Sequence, residues 1–113
     1  MGLEQSKKEE LKYLEKAAEG GDLLARHFLG CTEGDNGDHV AAMRNFRLSA
    51  SGGLKLSMEP LIHGFDCGLL HHAALAETLQ AMYRARAEMK SKGRDQFIEN
   101  LKKTGHYSEE FDM

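Results

Sequence analysis

His27 and Cys31 stand four residues apart, and so do His63 and Cys67. On a helix that spacing sets one side chain above the other, so each pair offers a nitrogen and a sulfur on one face. Four such ligands brought together hold zinc tetrahedrally. A small zinc-binding helical protein using His27, Cys31, His63 and Cys67 is therefore one reading of the chain. A cysteine within reach of a histidine is also the minimum for a thiol nucleophile. Here no sequence feature supplies an oxyanion donor or an orienting third group, and neither cysteine opens a helix, where its pKa would fall. His71 and His72 are neighbours, turned about 100° apart on a helix, and so cannot face the same way. These residues give no basis for catalysis, and the chain reads as no enzyme and without a cofactor.

The elements that must position these residues are helices joined by glycine corners. The stretch Tyr13-Leu14-Glu15-Lys16-Ala17-Ala18-Glu19-Gly20-Gly21-Asp22 ends one helix and opens the next. Ala17 and Ala18 let a neighbouring helix come close, and Gly20 or Gly21 takes the left-handed backbone that closes a helix. Asp22 is placed to cap the helix that follows. In that helix Leu24, Ala25, Phe28 and Leu29 fall on one face, with Arg26 and His27 nearer the other side. Ala18-Glu19-Gly20-Gly21 is echoed by Ala50-Ser51-Gly52-Gly53, 32 residues on, a period within the range of stacked helical hairpins. The histidine–cysteine pairs are 36 residues apart. Their register therefore differs from that of the corners, which argues against a shared zinc site and for histidines lining a groove beside cysteines that act as small hydrophobes.

These residues resemble the Sel-one-like repeats, a branch of the tetratricopeptide-like helical hairpins. Tyr13-Leu14-Glu15-Lys16-Ala17-Ala18-Glu19-x-Gly21 matches the family's aromatic-Leu-Glu-Lys-Ala-Ala-x-x-Gly run, and Ala25-x-x-x-Leu29-Gly30 matches its Ala-x-x-x-Leu-Gly helix. A second copy keeps the spacing through Ala42, Phe46, Ser49-Ala50, Gly53, Ser57 and Leu61, but has Asn45 for the aromatic, Ile62 for the glycine, and Pro60. The loop between helices is the short Gly34-Asp35-Asn36-Gly37-Asp38, and Glu33 stands at the usual tyrosine. The resemblance covers roughly residues 10–65. It implies an all-α fold, an α/α superhelix of antiparallel hairpins with about two repeats and a long C-terminal capping helix. It also implies a scaffold or adaptor that presents a concave groove to a protein or peptide. On that reading the outward positions of the groove helices, Arg26, His27 and Glu33, then Glu59, His63 and Asp66, are the partner contacts. An Arg beside Glu and His residues would grip the polar atoms of an extended peptide.

With 113 residues, 41% of them hydrophobic and 29% charged, the chain is expected to form one domain over residues 7–103, with residues 1–6 and 104–113 as flexible termini. A net charge of −3 gives no electrostatic case for nucleic acid. No apolar run reaches the length of a membrane span. Two cysteines and no secretory h-region point to a reducing, cytoplasmic setting. Met1-Gly2-Leu3-Glu4-Gln5-Ser6 fits the pattern for N-myristoylation at Gly2, while Ser6-Lys7-Lys8-Glu9 reads equally as a capping box.

In chain order, the periodicity predicts a first helix over 7–19 that buries Leu11, Leu14 and Ala18, with Tyr13 at its edge. A second follows over 23–33. A third, capped by Asp38, packs Val40, Met43, Phe46 or Arg47, and Ala50 on one side. A fourth is expected over 54–65, kinked at Pro60, rather than the shorter alternative N-capped by Ser57 that would put Pro60 in its first turn. A fifth over 70–91 carries the stripe Leu75, Leu79, Met82, Tyr83, Arg86 and Met89, and Gly93 separates it from a short sixth over 95–103. Repeat arrays generally need three units. A homodimer formed through Phe97, Ile98 and Leu101 would supply the missing one.

Overall fold

The computed structural model describes residues 3–104, with side chains from Gln5 onward. Within them the protein is all-α: α1 (Leu3–Glu19), α2 (Leu23–Asp35), α3 (His39–Ser51), a 3₁₀ turn (Lys55–Ser57), α4 (Met58–Asp66) and α5 (His72–Thr104). None of the described helices is long and apolar enough to cross a membrane. The Gly2 acylation pattern lies outside the described residues.

Each connection is closed by the same local chemistry. After α1, the Asp22 N–H donates to the Ala17 carbonyl and the Gly21 N–H to the Ala18 carbonyl; after α3, Leu54 donates to Ser49 and Gly53 to Ala50. This crossed pair of bonds satisfies the last carbonyls of a helix and requires a left-handed residue. Gly21 and Gly53 supply it, at φ of 99° and 117°. α2 and α3 each start on a carboxylate, the Asp22 side chain accepting from the Ala25 N–H at 3.0 Å and Asp38 from the Ala41 N–H at 3.2 Å. The echo of the two glycine corners in the sequence is thus an echo in geometry.

The body of the protein is organised on α3, which packs on α2, α4, the 3₁₀ turn and α5. Ala42, Phe46 and Ala50 of α3 meet Met58 and Leu61 of α4 and Met82 of α5 in the main core, while a smaller cluster joins Ala18 of α1 to Ala25 and Leu29 of α2. The α2–α3 interface is the most extensive, because Gly30 lets the ring of Phe46 lie against the α2 backbone. A Cβ on Gly30 would sit 2.8–3.0 Å from three carbons of that ring. Phe46 is 5% exposed and lies 5.2 Å, centroid to centroid, from the ring of His27, so it has little room to yield.

Three boundaries differ from the sequence expectation. α1 runs back to Leu3, so Ser6 lies inside it and forms no capping box at its start. The fourth helix is not a kinked segment from Leu54; a 3₁₀ turn comes first and α4 starts at Met58. Pro60 then sits in the first turn, where a missing N–H loses no intrahelical bond. The fifth and sixth helices are one, because α5 continues through Gly93. A glycine in a helix interior costs only about 1 kcal/mol, and no proline reinforces it.

Two of the glycines inside helices, Gly30 and Gly93, give opposite expectations. Alanine at Gly93 meets nothing within 4 Å, so Gly93→Ala should stabilise the protein by about 1 kcal/mol through helix propensity. Gly30→Ala gains the same propensity, but overpacking against a hemmed-in ring costs about 2 kcal/mol. A net loss of about 1 kcal/mol is expected. Urea melts of the two variants should move to opposite sides of the wild type.

Candidate functional site

α2 is covered on two sides, by α1 and by α3, which leaves a third side open. Leu24, Phe28 and Cys31 occupy that side at helical spacing, and Leu24 and Phe28 remain 45% and 46% exposed. The 3₁₀ turn and the start of α4 face His27 and Cys31 of α2. Between the two lies a cleft of about 400 Å³ lined by His27, Cys31, Leu56, Glu59, Pro60 and His63. Leu56, half exposed, and Pro60 give the far wall an apolar surface, and Glu59 and His63 edge it with polar groups. A neighbouring depression of about 530 Å³ on the other side of Leu56 continues the apolar surface to Ile62.

His27 forms the floor. Its ring is buried, with Nδ1 2.7 Å from Oγ of Ser57 and the ring against Phe46 and Phe28. Ser57 precedes α4 but makes no side-chain cap there, because its hydroxyl is committed to His27. Burial lowers the pKa of His27 below the usual 6.5, since the interior solvates an imidazolium poorly. At Cys31, partial burial first and the Asp35 carboxylate second push the thiol pKa up, against a smaller opposing effect of a backbone hydrogen bond. A thiol so placed is a poor nucleophile at neutral pH.

The six groove residues expected from the sequence fall into two groups. Glu59 and His63 line the cleft, and Asp66 is exposed at the end of α4. His27 reaches the cleft only as its buried floor, not from the outer side of α2. Arg26 and Glu33 are occupied elsewhere. Arg26 donates to Oδ1 of Asn45 at 3.0 Å and to the Ala18 carbonyl at 3.1 Å, and the Asn45 amide donates to the Glu33 carboxylate. This relay ties α2 to α3 and to the end of α1. Asn45, a departure from the aromatic of the repeat pattern, is the residue that makes it possible. Leu56 in the cleft wall, and the exposed Leu24 and Phe28 of α2, were not singled out by sequence reasoning as contacts. Their signal was an excess of large apolar residues on α2 over what one packed face requires.

The zinc arrangement does not form among the described residues. No group of three or more His, Cys, Asp or Glu side chains is placed to hold a metal ion. His63 and Cys67 face each other, Nε2 to Sγ 3.7 Å apart, but Cys67 does not line the cleft with His27 and Cys31, and the His27 Nδ1 is engaged by Ser57.

No protein-family model, curated protein or solved structure matches this chain.

Proposed function

We propose that the protein is a non-enzymatic interaction module whose α2–α4 cleft takes an amphipathic peptide segment of a protein partner. The observation that carries this reading is the apolar wall of Leu56 and Pro60 facing His27 and Cys31 across the cleft, beside an α2 surface on which Leu24 and Phe28 are also left about half exposed. Contiguous exposed apolar surface rimmed by polar groups is typical of partner-binding grooves. Glu59 and Asp66 make the α4 rim acidic, so the fitting peptide carries apolar anchors and a Lys or Arg beside them. The corners and caps shared by successive helices support the Sel-one-like reading, in which such a groove is the working surface. Two free, exposed cysteines fit work in a reducing compartment such as the cytoplasm.

A random peptide display library panned on the full chain tests the proposal. Enrichment of sequences with apolar anchors and a basic residue is expected, together with at least tenfold weaker binding of the winners to Phe28→Asp and Glu59→Lys. Both positions are exposed, so helicity by circular dichroism should be unchanged. Winners that bind Phe28→Asp as well as the wild type, or no enrichment at all, would overturn it.

A further inference from the structure

α5 is 33 residues long, about 50 Å, and only part of it is packed. Leu75, Leu79 and Met82 join the core, Met89 lies over Gly53, and from Lys90 to Thr104 no side chain is buried. A second row of positions on α5, turned away from the packed one, recurs at alternating steps of three and four residues from Ala73 to Leu101. It holds Ala76 and Gln80 at one end, Tyr83 and Arg94 in the middle, and Phe97 and Leu101 at the other. Tyr83 is 63% and Phe97 62% exposed, and of the whole row only Leu101 is half-buried. The row is apolar at Ala73, Ala76, Tyr83, Ala87, Phe97 and Leu101 and polar at Gln80, Lys90 and Arg94, the spacing of a helix-pairing seam with polar positions in its middle.

The seam is complementary to itself in one direction. About a two-fold axis between Ala87 and Lys90, an antiparallel copy of α5 sets Leu101 over Ala76, Phe97 over Gln80 and Arg94 over the Tyr83 ring. Large residues meet smaller ones at the ends, and a cation meets a π face in the middle. A parallel copy would instead set Lys90 on Lys90 and Arg94 on Arg94.

Charge supplies an independent argument for the same partner. Glu109, Glu110 and Asp112 account for the whole net charge of −3, since the residues before them balance fifteen basic against fifteen acidic side chains. Tyr107 stands just before these three acids and Phe111 among them. A complementary groove of about 510 Å³ lies between α3 and the start of α5, with Val40 72% and Leu48 50% exposed and Arg44, Arg47 and His71 around them. Arg47 is already held by Thr78 and Glu77, which leaves Arg44 and His71 at the groove for another anion. A chain's own residues 105–113 cannot reach it. From Ala74 to Thr104 the helix rises about 45 Å, whereas nine extended residues span at most about 30 Å. In the antiparallel pair Thr104 falls opposite the partner's Ala73, next to that groove.

We infer that the protein forms a two-fold dimer by antiparallel pairing of α5, with the acidic, aromatic segment 107–112 of each chain seated in the α3–α5 groove of the other. None of this draws on the α2–α4 cleft.

Sedimentation equilibrium on the full chain should give twice the 12.6 kDa monomer mass, and Phe97→Lys with Leu101→Lys should return it to monomer with helicity unchanged. With Cys31 and Cys67 replaced by serine, Ala76→Cys plus Leu101→Cys should cross-link two chains on oxidation, while Leu101→Cys alone should not. Arg44→Glu should weaken the dimer at least tenfold, and adding Glu109→Lys and Glu110→Lys to the same chain should restore it. A monomer at all concentrations, or cross-linking through Leu101→Cys alone, overturns the pairing. No weakening by Arg44→Glu, or weakening that the reversed charges fail to restore, overturns the seating of segment 107–112.

Discussion

Leu61→Ala is expected to lower the unfolding free energy by about 3 kcal/mol, the usual size of effect when a fully enclosed leucine is truncated. Leu61 has no exposed surface and is the bulkiest of the fully enclosed side chains. It belongs to the core shared by α3, α4 and α5. α4 has only nine residues, too few to persist as an isolated helix in water, so tertiary packing holds it in place. For a domain of this size, about 3 kcal/mol corresponds to a fall in melting temperature of about 15 °C. Ile62, the next residue along, is 49% exposed, and Ile62→Ala should cost less than about 1 kcal/mol because much of that side chain is already in water. Thermal and urea melts followed by circular dichroism separate the two, and equal losses would mean that α4 is not anchored through Leu61. Since α4 carries Glu59 and His63, Leu61→Ala should also loosen one wall of the cleft.

What the sequence made legible here is what short-range rules decide. Asp22 and Asp38 cap helices, and Gly21 and Gly53 close them, because each interaction spans three to five residues and nothing distant competes. The same reasoning overestimated Gly93. A glycine lowers helix stability by a small fixed amount but does not end a helix without a partner for the freed carbonyls. Ser57 went the other way: a residue well suited to capping is drawn off by a histidine 30 positions earlier. The candidate site shows the same division. Glu59 and His63 lie on a short helix with one buried side, where periodicity identifies the open one. α2 is buried on two sides, so periodicity alone could not say that Leu24 and Phe28 face outward while His27 faces in. Arg26 and Glu33 looked available because their partner, Asn45, is 19 and 12 residues away on another helix. Their fate was decided by packing that no local pattern encodes.

His27 should govern how stability responds to pH, and its removal should be costly. Truncation by His27→Ala takes a ring from beside Phe46 and leaves the buried Ser57 hydroxyl without its partner. A stranded buried hydroxyl costs about 1–3 kcal/mol and the cavity adds to it, so a loss of about 3 kcal/mol is expected. Replacing both partners by apolar groups removes the stranded hydroxyl, so His27→Leu with Ser57→Ala should recover most of that loss. The wild type should also weaken in acid. In the unfolded chain the imidazole titrates near 6.5, and in the fold burial holds its pKa lower. As pH falls below about 6.5 the unfolded state therefore takes up a proton that the folded state resists. Stability is fully present above that point, declines below it, and levels off once the folded imidazole is protonated as well. The double variant has no proton to gain there. Its denaturation midpoint should be flatter than that of the wild type between pH 7 and pH 5, measured in urea at matched ionic strength. Parallel curves for the two proteins would assign the acid sensitivity to the carboxylates instead, and would mean that the His27–Ser57 contact does not depend on a neutral ring.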